Sequence, residues 1–204
     1  GYITRATHEN TSWDAYRFEV SAHRWVRLEN ASRSWAIAND STYGWDVTRH
    51  QSDRRGTWSQ VRATLVKSAR FPDPQQDQGH HEWNFRIVPD ASVLDAVAAG
   101  QQLNLREREV SGLPFEAPFS ITGAVVESVA MAPDRSGDLV LRVYEAQGGP
   151  SQVTLTAPEA TSVTACDLRY RPSEDEPHLR GGDGQWSFDL SAFQITTLRL
   201  SFTK

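Results

Sequence analysis

Three segments decide the reading of this chain. They are Asn39-Asp40-Ser41-Thr42-Tyr43-Gly44, then Ser68-Ala69-Arg70-Phe71-Pro72-Asp73-Pro74-Gln75-Gln76-Asp77-Gln78-Gly79-His80, then Glu82-Trp83-Asn84-Phe85. No periodicity demands them, but the sequence around them alternates. Trp35, Ile37 and Asn39 alternate with Ser34, Ala36 and Ala38, and Trp83, Phe85 and Ile87 with Glu82, Asn84 and Arg86. Val61, Ala63, Leu65 and Val66 follow Trp58, and Phe18, Val20 and Ala22 alternate with Arg17, Glu19 and Ser21. A period of two buries one face of an antiparallel strand. One short stretch, 91–99, has helical spacing instead, with Val93, Leu94, Val97 and Ala98 on one face. Gly100 is placed to end it as a C-cap.

Turn formers cluster at Ser111-Gly112-Leu113-Pro114, and the pattern restarts after them. Strands are predicted at 125–131, 139–145, 153–156, 163–168, 185–190 and 195–202, with turns at 133–138 and 147–150. The charged, proline-containing piece 171–184 reads as a long exposed loop. Short strands with regular turn signals predict an all-β chain built as antiparallel β-sandwich. The expected division is 1–112 and 113–204.

With 204 residues the chain holds one large or two small domains. A net charge of −5 argues against nucleic acid as a partner, because phosphate binding needs a concentrated basic surface. Arg54-Arg55 and Arg106-Glu107-Arg108 are short and mixed with acids, as solvated faces are. Cys166 is the only cysteine, so no intrachain disulfide forms; among Val163, Ala165 and Leu168 it reads as a small buried hydrophobe. No apolar run is long enough to span a bilayer, and no signal peptide is recognised. The only methionine is Met131, so the chain is expected to start after processing or as a fragment.

The three opening segments together resemble the C-terminal β-domains of glycoside hydrolase family 38, the α-mannosidases, in the branch common in bacteria. Further stretches carry the same resemblance in order. Arg5-Ala6-Thr7-His8-Glu9-Asn10-Thr11-Ser12-Trp13-Asp14 is similar to the lead into the family's large sandwich. Phe18-Glu19-Val20 and Ala22-His23-Arg24-Trp25-Val26 resemble its next strand. Asp134-Arg135-Ser136-Gly137-Asp138, then Leu141-Arg142-Val143-Tyr144-Glu145, is similar to the hairpin of the last small sandwich. Phe193-Gln194-Ile195-Thr196-Thr197-Leu198-Arg199-Leu200 is similar to its closing strand. The resemblance implies that 1–112 is the second half of a large mutarotase-like supersandwich and that 113–204 is a small C-terminal sandwich. It further implies a retaining parent enzyme that removes terminal α-mannose. That parent's zinc and catalytic carboxylates would sit in an N-terminal domain of the same polypeptide. The partners implied are that domain and mannose-containing glycans, with a homo-oligomer allowed; the implied location is the bacterial cytoplasm.

Glycoside hydrolysis needs two carboxyl groups flanking the scissile bond. The loop carboxylates are Asp14, Asp40, Asp53, Asp73, Asp77, Asp134, Asp138 and Glu174-Asp175-Glu176, and none pairs in a motif that the resemblance marks as catalytic. No catalytic residue is therefore expected here. Zinc ligand types meet at Asp77, His80, His81 and Glu82, but adjacent histidines in a strand point to opposite faces, so no metal site is expected.

Three segments are candidates for the rim of the parent's active site. The first is the loop with Asp73, Asp77 and His80, where prolines stiffen the chain, acids suit sugar hydroxyls and Gly79 permits close approach. Its plainer reading is a connecting turn or a surface against the missing domain. The second is His8, Asn10, Trp13 and Asp14; the third is Tyr43, whose plainer reading is a hairpin turn. Six of the seven tryptophans precede residue 90, which keeps a stand-alone carbohydrate-binding module as the alternative. Trp35, Trp58 and Trp83 sit at alternating positions that favour the core, whereas Trp13 and Trp45 adjoin turns and are expected at a surface or interface. A purely structural sandwich is the third reading.

Overall fold

The computed structural model describes residues 1–107, 109, 111–112, 116–173 and 177–203. The chain divides into two compact units, one of Ile3–Glu109 and one of Gly1–Tyr2 with Val110–Lys204. Among the described residues there are fourteen strands and two helices, and all strand pairing is antiparallel. The Glu174-Asp175-Glu176 run, Arg108 and the Leu113-Pro114 pair of the expected boundary lie outside the described residues.

The Ile3–Glu109 unit opens with a single turn, α1 (Ser12–Ala15). Strands β1 (Glu19–Ser21), β4 (Gly44–Ser52) and β5 (Gly56–Ala63) form one sheet in the order β1-β4-β5. Strands β2 (Trp25–Glu29), β3 (Ser34–Asn39) and β6 (Phe85–Pro89) form another in the order β2-β3-β6. Helix α2 (Val93–Asn104) packs on β2, β3 and β6. It starts at a capping box, in which Ser92 accepts from the Asp95 N–H and Asp95 accepts from the Ser92 N–H.

The core of this unit is small. Ala36, Ala91 and Ala96 are fully buried, with Trp25 and Val88 packed against them. Side chains alternate across a sheet, so the other face of β2-β3-β6 carries Val26, Leu28, Trp35, Ile37, Phe85 and Ile87. That face is apolar yet open: Trp35 is 43% exposed and Ile87 64%.

The other unit is a closed sandwich. Its first sheet runs β12 (Arg180–Gly182), β13 (Gln185–Leu190), β10 (Ser151–Thr156), β7 (Ser120–Thr122). Its second runs β11 (Ala160–Cys166), β14 (Ile195–Phe202), β9 (Leu139–Tyr144), β8 (Val125–Met131). Leu141, Val143, Leu198 and Leu200 of one sheet meet Val153, Leu155, Trp186, Phe188 and Leu190 of the other in one buried cluster. Cys166, at the end of β11, is a buried free thiol, and loss of solvation pushes its pKa up, which weakens it as a nucleophile.

Several expectations change. The helix does not stop at Gly100; it runs on to Asn104, because Gly100 packs against Arg24 and Trp25 where a larger residue would collide. The 39–44 segment is not a hairpin, since β3 and β4 belong to different sheets. Within 171–184 the chain makes a bridge at Pro172 to Cys166 and then strand β12. The last period-two strand of the first unit begins at Phe85, so Trp83 precedes it.

Candidate functional site

The segment at the β3–β4 crossing is organised by side-chain amides and hydroxyls. Asn39 Oδ1 accepts from the N–H groups of Ser41 (3.2 Å) and Thr42 (2.9 Å), which turns the chain sharply after β3. Thr42 Oγ1 then donates to the Thr64 carbonyl at 2.5 Å, and the Thr64 N–H donates to the Gly44 carbonyl at 2.8 Å. A Cβ on Gly44 would stand 3.1 Å from Thr64, so a glycine permits this close stitch. Asn104 at the end of α2 donates to the Asn39 carbonyl at 2.8 Å.

Asp40 links the first and third opening segments. Its carboxylate accepts from the Asn84 N–H (3.1 Å), Asn84 Nδ2 (2.9 Å) and Ser41 Oγ (2.6 Å). The Ser41 hydroxyl first, then Asn84, holds its pKa below the ordinary carboxylate value against some desolvation. Trp45 is buried and meets Phe85 edge to face at 6.2 Å, which corrects its expected surface position. Asn39 Nδ2 and Trp45 Nε1 are buried donors with no hydrogen-bond partner among the described residues. Asn39, Asp40 and Asn84 all lie in the opening segments that carry the resemblance, yet only Tyr43 among those residues stood out as a rim candidate.

The rim candidates fall into three local groups. In the 68–80 loop, Asp73 Oδ1 accepts from the Gln75 N–H at 2.9 Å, and Asp77, with φ 58°, accepts from the Ser68 N–H at 3.2 Å. Both carboxylates thus brace their own loop. His80 is exposed, while His81 Nε2 donates to the Asp77 carbonyl at 2.8 Å and its ring stacks on Trp83 at 5.3 Å. These residues lie in coil rather than in a strand.

In the second group Asp14 completes the capping box of α1, whose N-cap is Thr11. It accepts from the Thr11 N–H at 3.1 Å and from Thr11 Oγ1 at 2.8 Å, and His8 Nδ1 lies 3.4 Å from it. The Thr11 hydroxyl holds the Asp14 pKa low, with desolvation opposing and His8 assisting. Trp13 stands out at 76% exposure, and Asn10 is exposed beside it. In the third group Tyr43 is exposed and stacks on His23 at 5.2 Å. The described hydrogen bonds and ring contacts hold each group locally, and none joins one group to another.

Among the described residues no three His, Cys, Asp or Glu side chains gather closely enough to hold a metal ion. No helix of the described residues is long and apolar enough to cross a membrane. On the outer face of β1-β4-β5, paired positions read His50–Trp58, Thr48–Gln60 and Asp46–Arg62. His50 stacks on Trp58 at 4.3 Å, and Arg62 holds Asp46 through bonds of 2.8 and 3.2 Å. Trp58, expected in the core, is 39% exposed on this polar face, because its register puts it opposite the side that carries Trp45.

The described residues thus form an antiparallel open unit and a closed β-sandwich. Residues 1–75 match the glycosyl hydrolases family 38 C-terminal domain, and residues 123–198 match the family's C-terminal beta sandwich domain. The chain belongs to the C-terminal region of glycosyl hydrolase family 38. It is 34% identical over 218 residues to alpha-mannosidase 2C1 of Homo sapiens, a match that covers 98% of this chain and 20% of that protein. Alpha-mannosidase G of Dictyostelium discoideum is 30% identical over 217 residues, covering 98% and 19%. The alpha-mannosidase of Saccharomyces cerevisiae is 29% identical over 177 residues, covering 76% and 16%. The chain thus spans about a fifth of the length of the curated relatives it matches.

Proposed function

We propose that this chain is the non-catalytic C-terminal part of a retaining α-mannosidase acting on terminal α-D-mannose. Residues 1–112 serve as the second half of a large sandwich and 113–204 as the small closing one. The part played here is to brace the N-terminal catalytic domain of the same polypeptide and to shape the rim of its active site. Zinc and the catalytic carboxylates belong to that domain, so the 204-residue chain by itself is inactive.

One observation carries this reading: the open apolar face of β2-β3-β6, with Trp35 and Ile87 exposed above a core of three alanines. An open apolar sheet face is ordinarily packed against another element. The relatives are several times longer than the chain, and the remainder of such a polypeptide supplies that cover.

The test is hydrolysis of a chromogenic α-mannoside with added zinc, comparing this chain with a form extended upstream through a catalytic domain. Activity in the extended form alone is the expected result; activity in the 204-residue chain refutes the reading. The rim role of the 68–80 loop has its own check. Asp77→Ala in the extended enzyme should raise KM or lower kcat with the fold intact, and unchanged kinetics remove this loop from the rim.

The second reading, a carbohydrate-binding module, is favoured by Trp58 and His50 beside Gln60 on an open polar face. Weak sugar binding by the chain alone, lost in Trp58→Ala, would carry it instead.

A further inference from the structure

Gly1 and Tyr2 belong to the closed sandwich, not to the unit that follows them in sequence. Tyr2 Oη donates to the Gln147 carbonyl at 3.0 Å, and its ring meets Phe193 edge to face at 5.3 Å and 85°. Gly1 lies so near that a Cβ on it would stand 3.0 Å from Phe193 Cδ1.

The receiving corner is purpose-built by a buried charge. Glu145 is 2% exposed, and its carboxylate accepts from the N–H groups of Gln147 (2.5 Å), Gly148 (2.8 Å) and Phe193 (3.0 Å). It therefore ties together the two turns that contact Tyr2. Burial pushes its pKa up, but the N–H groups of Phe193, Gln147, Gly148 and Gly149 outweigh that and hold it below its ordinary value. Phe193 has φ 58°, a left-handed conformation that a bulky residue keeps only where its surroundings hold it. At Gly148 a Cβ would come within 2.9 Å of Phe193 Cζ and 3.4 Å of Tyr2 Oη, so glycine leaves the space the two rings occupy.

We propose that this corner is an anchoring surface for the segment at residues 1–2, with Tyr2 as the clasp. Its effect is to hold residues 1–2 on the sandwich at the point where the chain passes into the Ile3–Glu109 unit, which the chain leaves again for the sandwich after Glu109. A unit with a small core gains from such closure, because fixing both ends of a long segment removes freedom from its unfolded state. The proposal stands whether or not the parent is a mannosidase.

The test is hydrogen exchange and limited trypsin digestion on the intact 204-residue chain. Tyr2→Ala should raise exchange at Gln147, Gly148 and Phe193 about tenfold and speed cleavage after the exposed Arg5. Tyr2→Phe, which keeps the ring and loses the hydroxyl, should fall between. Glu145→Gln should speed the same cleavage although Tyr2 is intact. Native rates in Tyr2→Ala would overturn the clasp. So would an equal rise across β9 and β14, which would make Tyr2 an ordinary piece of the sandwich core.

Discussion

Arg199 shows how single residues hold the sandwich. Its Nε donates to Asp138 at 2.7 Å, and its Nη2 donates to Asp134 at 2.7 Å and to Ser136 Oγ at 3.0 Å, while Ser201 Oγ donates to Asp138 at 3.0 Å. The turn at 133–138 was legible from Asp134 and Gly137, but its closing cation lies over sixty residues away and was not. Arg199→Met leaves Asp138 buried without its counter-charge. It should cost about 2–3 kcal/mol in chemical denaturation, below the ~3–5 typical of fully buried pairs because Arg199 is partly exposed. Acid acts on the same group. The Ser136 hydroxyl and then Arg199 hold Asp134 at about 2, and Asp138 is also lowered, its burial being outweighed by Arg199 and Ser201. Both folded values lie below the unfolded one, so their stabilisation is complete above the ordinary value of 3.8 and is lost as pH falls toward 2. A denaturation series in that window should show a smaller acid loss in Arg199→Met than in the parent chain.

At the scale of elements, strands with a clean alternation were legible. The predictions at 125–131, 185–190 and 195–202 match β8, β13 and β14 residue for residue. The helix end was not, because Gly100 signals a C-cap in isolation, whereas here it answers the approach of β2. A Cβ at Gly100 would lie 3.2 Å from Trp25 Cδ1 and 3.3 Å from Arg24 Cβ. Gly100→Val should therefore lower stability by about 1–3 kcal/mol through overpacking, despite the glycine's poor helix propensity. Thermal unfolding followed by tryptophan fluorescence checks this, and a stabilised variant would mean that α2 shifts freely off β2. Trp45 taught the same lesson. Its turn-adjacent position suggested a surface, but the β4 register turned it inward against Phe85.

For the whole molecule, the contrast between the two cores sets the order of unfolding. One unit buries a cluster of eleven apolar residues and the other a cluster of three alanines. Each buried large aliphatic or aromatic side chain contributes roughly 1.5–3 kcal/mol, so the sandwich should outlast its neighbour. Graded proteolysis with mass spectrometry should leave a protected fragment within 116–203 while peptides from 3–109 accumulate. Equal protection of both would show that the open face is already covered, for example by a second copy. Trp35→Asp with Ile87→Asp should reduce binding of an apolar dye by the chain.

The amino-acid sequence by itself determined the all-β class, the strands with strict period two, the buried thiol and the family resemblance. Each is encoded locally, in alternation or in short segments that survive without neighbours. Only the tertiary structure decided which partners these segments take. Asp40 bonds Asn84, Thr42 bonds Thr64, Asp14 caps a turn and Asp77 braces its own loop. These partners stand up to forty-four residues apart, and hydrogen bonds across such separations leave no periodic trace. Alternation marked the face with Trp35, Ile37, Phe85 and Ile87 as the one to be buried. The structure reverses this: α2 docks on the opposite face, against Ala36 and Val88, and leaves the expected core face open.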